Sequence, residues 1–129
     1  PSSGNRATIG GVVGNNATGA HSILYGMTSD NVRSVKAVRY GGGVVELGPG
    51  PREEQAARAS HADETGALLS ALLPFGEEHA DLIRRDFPPH WRRATGYSLD
   101  QFVKPDAAFN PARLLVASEG SLATTLEVT

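Results

Sequence analysis

The placement of glycine constrains this chain more than any other feature. Of its 15 glycines, one cluster lies at positions 4–26, a second at 41–50, and a small third at Glu119-Gly120. Glycine supplies positive φ and lets the backbone approach another group, because no Cβ intervenes. The first cluster reads Thr8-Ile9-Gly10-Gly11-Val12-Val13-Gly14-Asn15-Asn16-Ala17-Thr18-Gly19-Ala20. Two readings fit it about equally. Backbone amides could cradle a phosphate-bearing ligand, with Asn15 and Asn16 adding side-chain donors. Alternatively, Gly10 to Ala17 is a short helix pressed against a flat surface, with no ligand. The Rossmann fingerprint does not fit, since Gly10-Gly11-x-x-Gly14 lacks its spacing and follows no clear strand. A P-loop does not fit either, as no Gly-Lys-Ser/Thr occurs. Clusters near the two ends could serve one ligand or one set of tight turns.

Along the chain, Val32, Val35 and Val38 predict a strand within 31–40. Gly41-Gly42-Gly43 is a turn signal, and Val44-Val45-Glu46-Leu47 is the returning strand of a β-hairpin. Gly48-Pro49-Gly50-Pro51 breaks the chain. The polar stretch to Thr65 is either a mobile insertion or a solvent-facing helix. Asp63 is placed to cap a helix carrying Leu68, Leu69, Leu72 and Leu73, expected to end at Pro74. A second helix is expected over 77–86, with Glu77-Glu78 favouring its start and Arg84-Arg85 its end. Pro88-Pro89 stops it. Arg113-Leu114-Leu115-Val116-Ala117 has the pattern of a buried strand, and Ser118-Glu119-Gly120-Ser121 that of a turn. Leu122, Thr124, Leu126 and Val128 alternate with Ala123, Thr125, Glu127 and Thr129, predicting a half-buried strand. Strands near both ends with helices between give an α+β fold, an antiparallel sheet with flanking helices. The central helices read as an insertion over about 52–92.

Other functions are disfavoured. The formal net charge is −2, and no Lys/Arg run exceeds two residues, so no basic stripe is available to neutralise nucleic-acid phosphates. No apolar stretch is long enough to span a bilayer. The absence of cysteine removes disulfides, thiolate metal sites and cysteine catalysis from this segment; it is compatible with the cytoplasm. The chain opens without Met or a signal-peptide core, and we expect it to be a piece of something longer.

Several segments together carry a resemblance. Thr8-Ile9-Gly10-Gly11, Asn15-Asn16-Ala17-Thr18-Gly19-Ala20-His21, Tyr25-Gly26, the Val35–Leu47 hairpin, Thr95-Gly96-Tyr97-Ser98-Leu99, Asn110-Pro111-Ala112-Arg113-Leu114-Leu115-Val116 and Ser118-Glu119-Gly120-Ser121-Leu122 resemble the FAD-linked oxidase family. This is the vanillyl-alcohol-oxidase type, with a p-cresol-methylhydroxylase (PCMH)-type FAD-binding domain. The branch is the one similar to D-lactate and glycolate dehydrogenases, often fused to an iron–sulfur module. The match extends over nearly the whole chain except about 52–75. Each motif is weak alone; in this order and spacing they are specific. Ala117 and Ser121 depart from the Gly and Thr usual in Gly-Ser-Glu-Gly-Thr.

The resemblance implies the second lobe of the FAD-binding domain, with 1–129 a partial domain. The first lobe, with its glycine-rich pyrophosphate loop, and the substrate-shaping cap domain are not found here. By the same resemblance Ser3, Thr8, Gly10, Gly11, Asn15, Asn16, Gly19, Ala20 and His21 would contact FAD from one end of the chain. Glu119, Gly120 and Val128 would approach it from the other. The parent would be an FAD-dependent oxidoreductase oxidising a small 2-hydroxy acid (D-lactate- or glycolate-like) by hydride transfer to flavin. It would be cytoplasmic, or held at the membrane periphery through the rest of the protein. The fragment alone is expected to be inactive and to retain little FAD. A flavin-free binding or scaffolding module that keeps the fold is the alternative.

No catalytic residue emerges: Glu46, Glu119 and Glu127 are bases on paper, but nothing in their spacing pairs them. His21, His61, His79 and His90 show no ligand spacing, so no metal site is expected. Tyr97 with Trp91, Arg92 and Arg93 could line a site for an anionic acid, since a guanidinium fork suits a carboxylate. A solvated helix end is at least as good an account.

Overall fold

A computed structural model describes residues 4–93, 96–105 and 109–129. Three short helices open the described chain: α1 (Ile9–Gly14), α2 (Ser22–Tyr25) and α3 (Thr28–Asn31). The hairpin β1 (Val35–Arg39) and β2 (Val44–Leu47) follows. Next come α4 (Arg52–Ala59), α5 (Glu64–Glu78) and α6 (Ala80–Asp86), then 3₁₀ turns at Leu99–Val103 and Pro111–Leu114, and finally β3 (Ala123–Val128). The sheet is antiparallel with order β2-β1-β3, so the α+β architecture with flanking helices holds. Ser3 and Thr95 lie outside the described residues.

The hairpin forms where the glycines permit. Gly41 and Gly42 sit at φ 94° and 91°, and the turn closes through Arg39 N–H to Gly43 O at 2.8 Å. Val35 pairs with Leu47 and Val38 with Val44. Val32 belongs instead to the end of α3, where its N–H donates to Thr28 O.

The stretch after Pro51 is helical. Helix α4 buries no residue, which is the solvent-facing alternative. Asp63 caps α5 as expected, accepting from Gly66 N at 2.8 Å, but α5 runs through Pro74 to Glu78. Proline removes one ladder bond. Contacts beyond it hold the helix: Gly76 lies against Phe102, whose ring a Cβ would meet at 2.3 Å, and Phe75 meets the same ring edge-on at 5.7 Å. Glu77 and Glu78 therefore finish α5, and the next helix starts only at Ala80.

Two apolar cores result. One lies on the sheet: Val13, Val32, Val35, Ala37, Val45, Leu47, Leu69, Ala112, Leu115 and Val116. The other belongs to the helices: Ile83, Phe102, Phe109 and Leu114, flanked by Leu72, Leu73 and Phe87. The run 113–117 is buried as expected yet is not a strand. Asn110 and Pro111 start a 3₁₀ turn, and Leu115 and Val116 N–H donate to Ala112 and Arg113 carbonyls. Asn110 fixes that start, its Oδ1 accepting from Ala112 N while Nδ2 donates to Val32 O and Arg33 O.

Strand β3 also departs from simple alternation. Its register slips between Lys36↔Glu127 and Ala37↔Thr125, so the extra residue, Leu126, interrupts the period of two. Ala123, Thr125 and Val128 turn inward, while Thr124 and Leu126 are exposed.

Candidate functional site

The two ends of the chain meet at the C-terminus of α1. Val13 O accepts from Ala117 N at 3.1 Å, and Gly14 O from Glu119 N at 2.9 Å. Gly14 lies close to the far segment: a Cβ built on it would meet Glu119 Cα at 3.7 Å, an ordinary contact distance. Both segments turn sharply here. Asn16, Ala117 and Glu119 (φ 44°, 70° and 51°) are the non-glycine residues with positive φ among the described residues. Left-handed backbone disfavours a Cβ, and such conformations concentrate where a surrounding structure enforces them for function.

The residues of the N-terminal cluster divide by direction. Thr8 caps α1, its hydroxyl accepting from Gly11 N at 3.2 Å. A Cβ on Gly10 would meet nothing within 4 Å, so Gly10 presents bare backbone outward and packs against no flat surface. Asn15 is exposed. Asn16 points inward: its Oδ1 accepts from Ser29 N at 2.9 Å and its Nδ2 faces Met27 Sδ at 4.0 Å. At the other end Glu119 and Gly120 are exposed beside α1, and Val128 leans on the sheet core.

Gly19, Ala20 and His21 form one wall of a surface cavity of about 570 Å³, opposite Tyr25, Met27 and Asn31. Its frame is hydrogen-bonded throughout. Gly19 N donates to Ser22 Oγ, Thr28 Oγ1 to Ala17 O at 2.7 Å, and Asn31 Nδ2 to Tyr25 O and Met27 O. His21 meets Tyr25 edge-on at 6.5 Å. Sequence reasoning did not single out Tyr25, Met27 and Asn31 as lining residues, though a signal existed: Ala7 through Ser29 contains no Asp, Glu, Lys or Arg.

The arginines upstream of Tyr97 separate clearly. Arg93 is structural: Nη2 lies 2.9 Å from Asp100 Oδ1, out of line for a hydrogen bond, and its guanidinium stacks on Phe87 at 4.4 Å. Lys104 holds the other Asp100 oxygen at 3.2 Å. Arg92 reaches toward the opening, donating to Thr18 Oγ1 at 3.4 Å. Tyr97 OH lies 3.0 Å from Ser121 Oγ, and Trp91 is exposed. Arg92 and Tyr97 thus touch the N-terminal and C-terminal segments respectively. Glu46 and Glu127 are on the sheet, Glu127 paired with Lys36 at 3.5 Å, and neither accompanies Glu119. Among the described residues no three His, Asp or Glu come together as a metal site, and no helix is long and apolar enough to cross a membrane.

This face fits one side of a flavin. It offers bare glycine backbone at Gly10, a stretch from Ala7 through Ser29 without Asp, Glu, Lys or Arg, and a cavity lined by that same stretch and Asn31 of a size usual for small-molecule sites. Residues 1–48 match the family described as FAD binding domain. The whole chain is similar to D-2-hydroxyglutarate dehydrogenases. That of Pantoea ananatis (strain AJ13355) is 37% identical over 95% of this chain and 12% of the relative. Those of Escherichia coli (strain K12) and Haemophilus influenzae (strain ATCC 51907 / DSM 11121 / KW20 / Rd) are 34% and 32% identical, each over 98% of this chain and 12% and 13% of the relative. The chain therefore spans about an eighth of the length of the curated relatives it matches. No solved structure matches. The motifs and these relatives agree: the chain is a fragment of the FAD-linked oxidase family, with residues 1–48 matching its FAD-binding domain.

Proposed function

We propose that this segment forms the second lobe of the FAD-binding domain of an oxidoreductase that oxidises a small 2-hydroxy acid. The observation that carries it is the junction of α1 with the 117–119 turn, where Ala117 N–H and Glu119 N–H donate to Val13 O and Gly14 O and bring the two motif-bearing ends of the chain together. FAD, when bound, supplies the redox chemistry by accepting a hydride equivalent. The chain's own part is positioning. Gly10, Gly11 and Gly19 offer backbone at close range, and Thr8 and Asn16 hold the turns that carry them. Glu119 and Gly120 bring the far segment alongside. His21 and Ala20 face the adjoining cavity, Val128 steadies the sheet beneath, and Ser3 and Asn15 complete the proposed contact set.

Arg92 is the candidate for a carboxylate of the substrate, because Arg93 is committed to Asp100. The relatives' name implies a 2-hydroxy diacid. A first FAD lobe, a cap domain and an iron–sulfur module of the same polypeptide would complete the parent, acting in the cytoplasm or at the membrane periphery. Residues 52–92 are an insertion into the lobe.

The absorption spectrum of the longer protein tests this reading. A flavin spectrum that bleaches on adding D-2-hydroxyglutarate or D-lactate is expected. A longer protein with no flavin absorbance supports a fold-keeping scaffold instead, and flavin unaffected by any 2-hydroxy acid removes the substrate class. This chain alone is expected to hold FAD weakly, since it lacks a pyrophosphate loop.

A further inference from the structure

We propose that Tyr97 is a positioning residue for the cofactor: its phenol O–H donates to Ser121 Oγ and fixes the turn that carries Glu119 and Gly120. This rests on the reading of that turn as part of the FAD contact set. It also commits the Tyr97 hydroxyl to the protein rather than to the acid substrate.

The direction of the bond follows from the protons available. Tyr97 OH and Ser121 Oγ lie 3.0 Å apart, and each hydroxyl has a single proton to donate. Ser121 Oγ also bonds Ser118 O, a carbonyl that can only accept. The serine proton therefore points at Ser118 O, and Tyr97 is the donor to Ser121.

The turn needs such a tie. Ser118 is 4% exposed, and its hydroxyl donates to Leu115 O at 2.8 Å, so this end is anchored in the sheet core. Glu119 and Gly120 follow in left-handed backbone, at φ 51° and 78°. A non-glycine residue keeps that form only where its surroundings enforce it. Before Gly120 the enforcement is Glu119 N–H on Gly14 O. After it, Ser121 is held by its own N–H and hydroxyl, both on Ser118 O, and from outside the turn by Tyr97. The tyrosine is itself anchored. Leu99 N–H donates to Tyr97 O at 2.8 Å, and Leu99 packs against the helical core that contains Ile83 and Phe102. Tyr97 thus ties the helical core to the turn that faces α1.

The longer protein, stripped of flavin and titrated with FAD, tests this. Tyr97→Phe removes only the hydroxyl and is expected to weaken FAD binding about 2- to 10-fold, the effect of one hydrogen bond. Ser121→Ala should weaken it at least as much, and the double variant should lose no more than Ser121→Ala alone, because both hydroxyls act through one bond. Ser121→Thr keeps a hydroxyl and should retain the affinity. At saturating FAD, Tyr97→Phe should leave KM for D-2-hydroxyglutarate unchanged. Unaltered FAD affinity in Tyr97→Phe overturns the proposal, as does additive loss in the double variant or equal loss in Ser121→Thr. A raised KM for the acid with FAD affinity intact overturns it too, and assigns the phenol to the substrate. An unsubstituted protein that neither carries flavin nor takes up FAD overturns the functional reading and this inference with it, an outcome distinct from any of the variants' failures.

Discussion

Gly10 offers a test in which stability and cofactor binding should move in opposite directions. It is the second residue of α1, and a Cβ built on it meets nothing within 4 Å. In this chain Gly10→Ala relieves the conformational entropy that glycine loses in a helix. That gain is about 0.5–1 kcal/mol in a helix interior, and the lower end applies near the start of a six-residue helix. The melting temperature of this chain should therefore rise by about 2 °C. In the longer protein the same methyl projects about 1.5 Å, one carbon–carbon bond, into the approach assigned to the cofactor. Displacing a backbone contact to a charged or polar ligand group forfeits about 1.5–3 kcal/mol, a loss of flavin affinity of roughly 10- to 150-fold. Thermal melting of this chain and flavin titration of the longer protein check the two halves. A lower melting temperature would mean that Gly10 packs tightly and that its open surroundings are wrong. A higher one with unchanged flavin affinity would mean that the cofactor does not approach here.

Five further substitutions follow from the packing and the ion pairs. Gly66→Ala places a Cβ 2.1 Å from His61 O; because that neighbour is backbone, the α4–α5 junction must shift, at a cost of about 3 kcal/mol or more, read as a large drop in the urea midpoint. Ala117→Gly relieves a left-handed alanine (φ 70°) and should stabilise by about 0.5 kcal/mol in chemical denaturation. Arg93→Ala strips the mostly buried Asp100 of one partner and Phe87 of its stacked cation, costing about 1–2 kcal/mol after allowance for solvent and Lys104; Arg92→Ala should leave this chain's stability unchanged but raise KM for a 2-hydroxy diacid in the longer protein. The fifth concerns acid. Gly66 N–H, then Arg58, hold the Asp63 carboxyl below the usual carboxylate range. Its contribution is thus present above the unfolded-state value and lost as pH falls through the lower folded one. Acid melting curves should show a shallower decline below about pH 4 for Asp63→Asn than for the unaltered chain.

What was legible in the sequence was what local chemistry decides. The hairpin at Gly41-Gly42-Gly43 and the Asp63 cap need only their own neighbours, and both stand. What failed was decided at a distance. Pro74 reads as a stop, and it would be one in an isolated peptide, but Phe102, far along the chain, grips Gly76 and Phe75 and carries the helix onward. The 113–117 run is as apolar as a buried strand. Asn110 sets its course instead, reaching back to Val32 O and Arg33 O, and no period within the run reveals that. In β3 the period of two is present but its phase is reversed, with Ala123 and Thr125 inward and Leu122, Thr124 and Leu126 exposed, until the bulge at Leu126, set by pairing with Lys36 and Ala37, returns Val128 to the core side.

The glycine-rich opening shows the same division at the level of function. Packing and presentation to a ligand were rival accounts of one motif, and the structure distributes them among its residues. Gly14 lies against Glu119, and Asn16 turns inward to fix α3 through Ser29 N–H. Gly10 is bare toward open space. The packing residues are what hold the far turn at α1, and that turn brings Glu119 and Gly120 beside the open glycine backbone. Both ends of the chain thus contribute to one surface, which also exposes Ile9, Ile23, Leu24 and Tyr25. Its bare backbone is what the proposed cofactor contact uses, and the residues that hold that backbone in place are those hydrogen-bonded to the far turn.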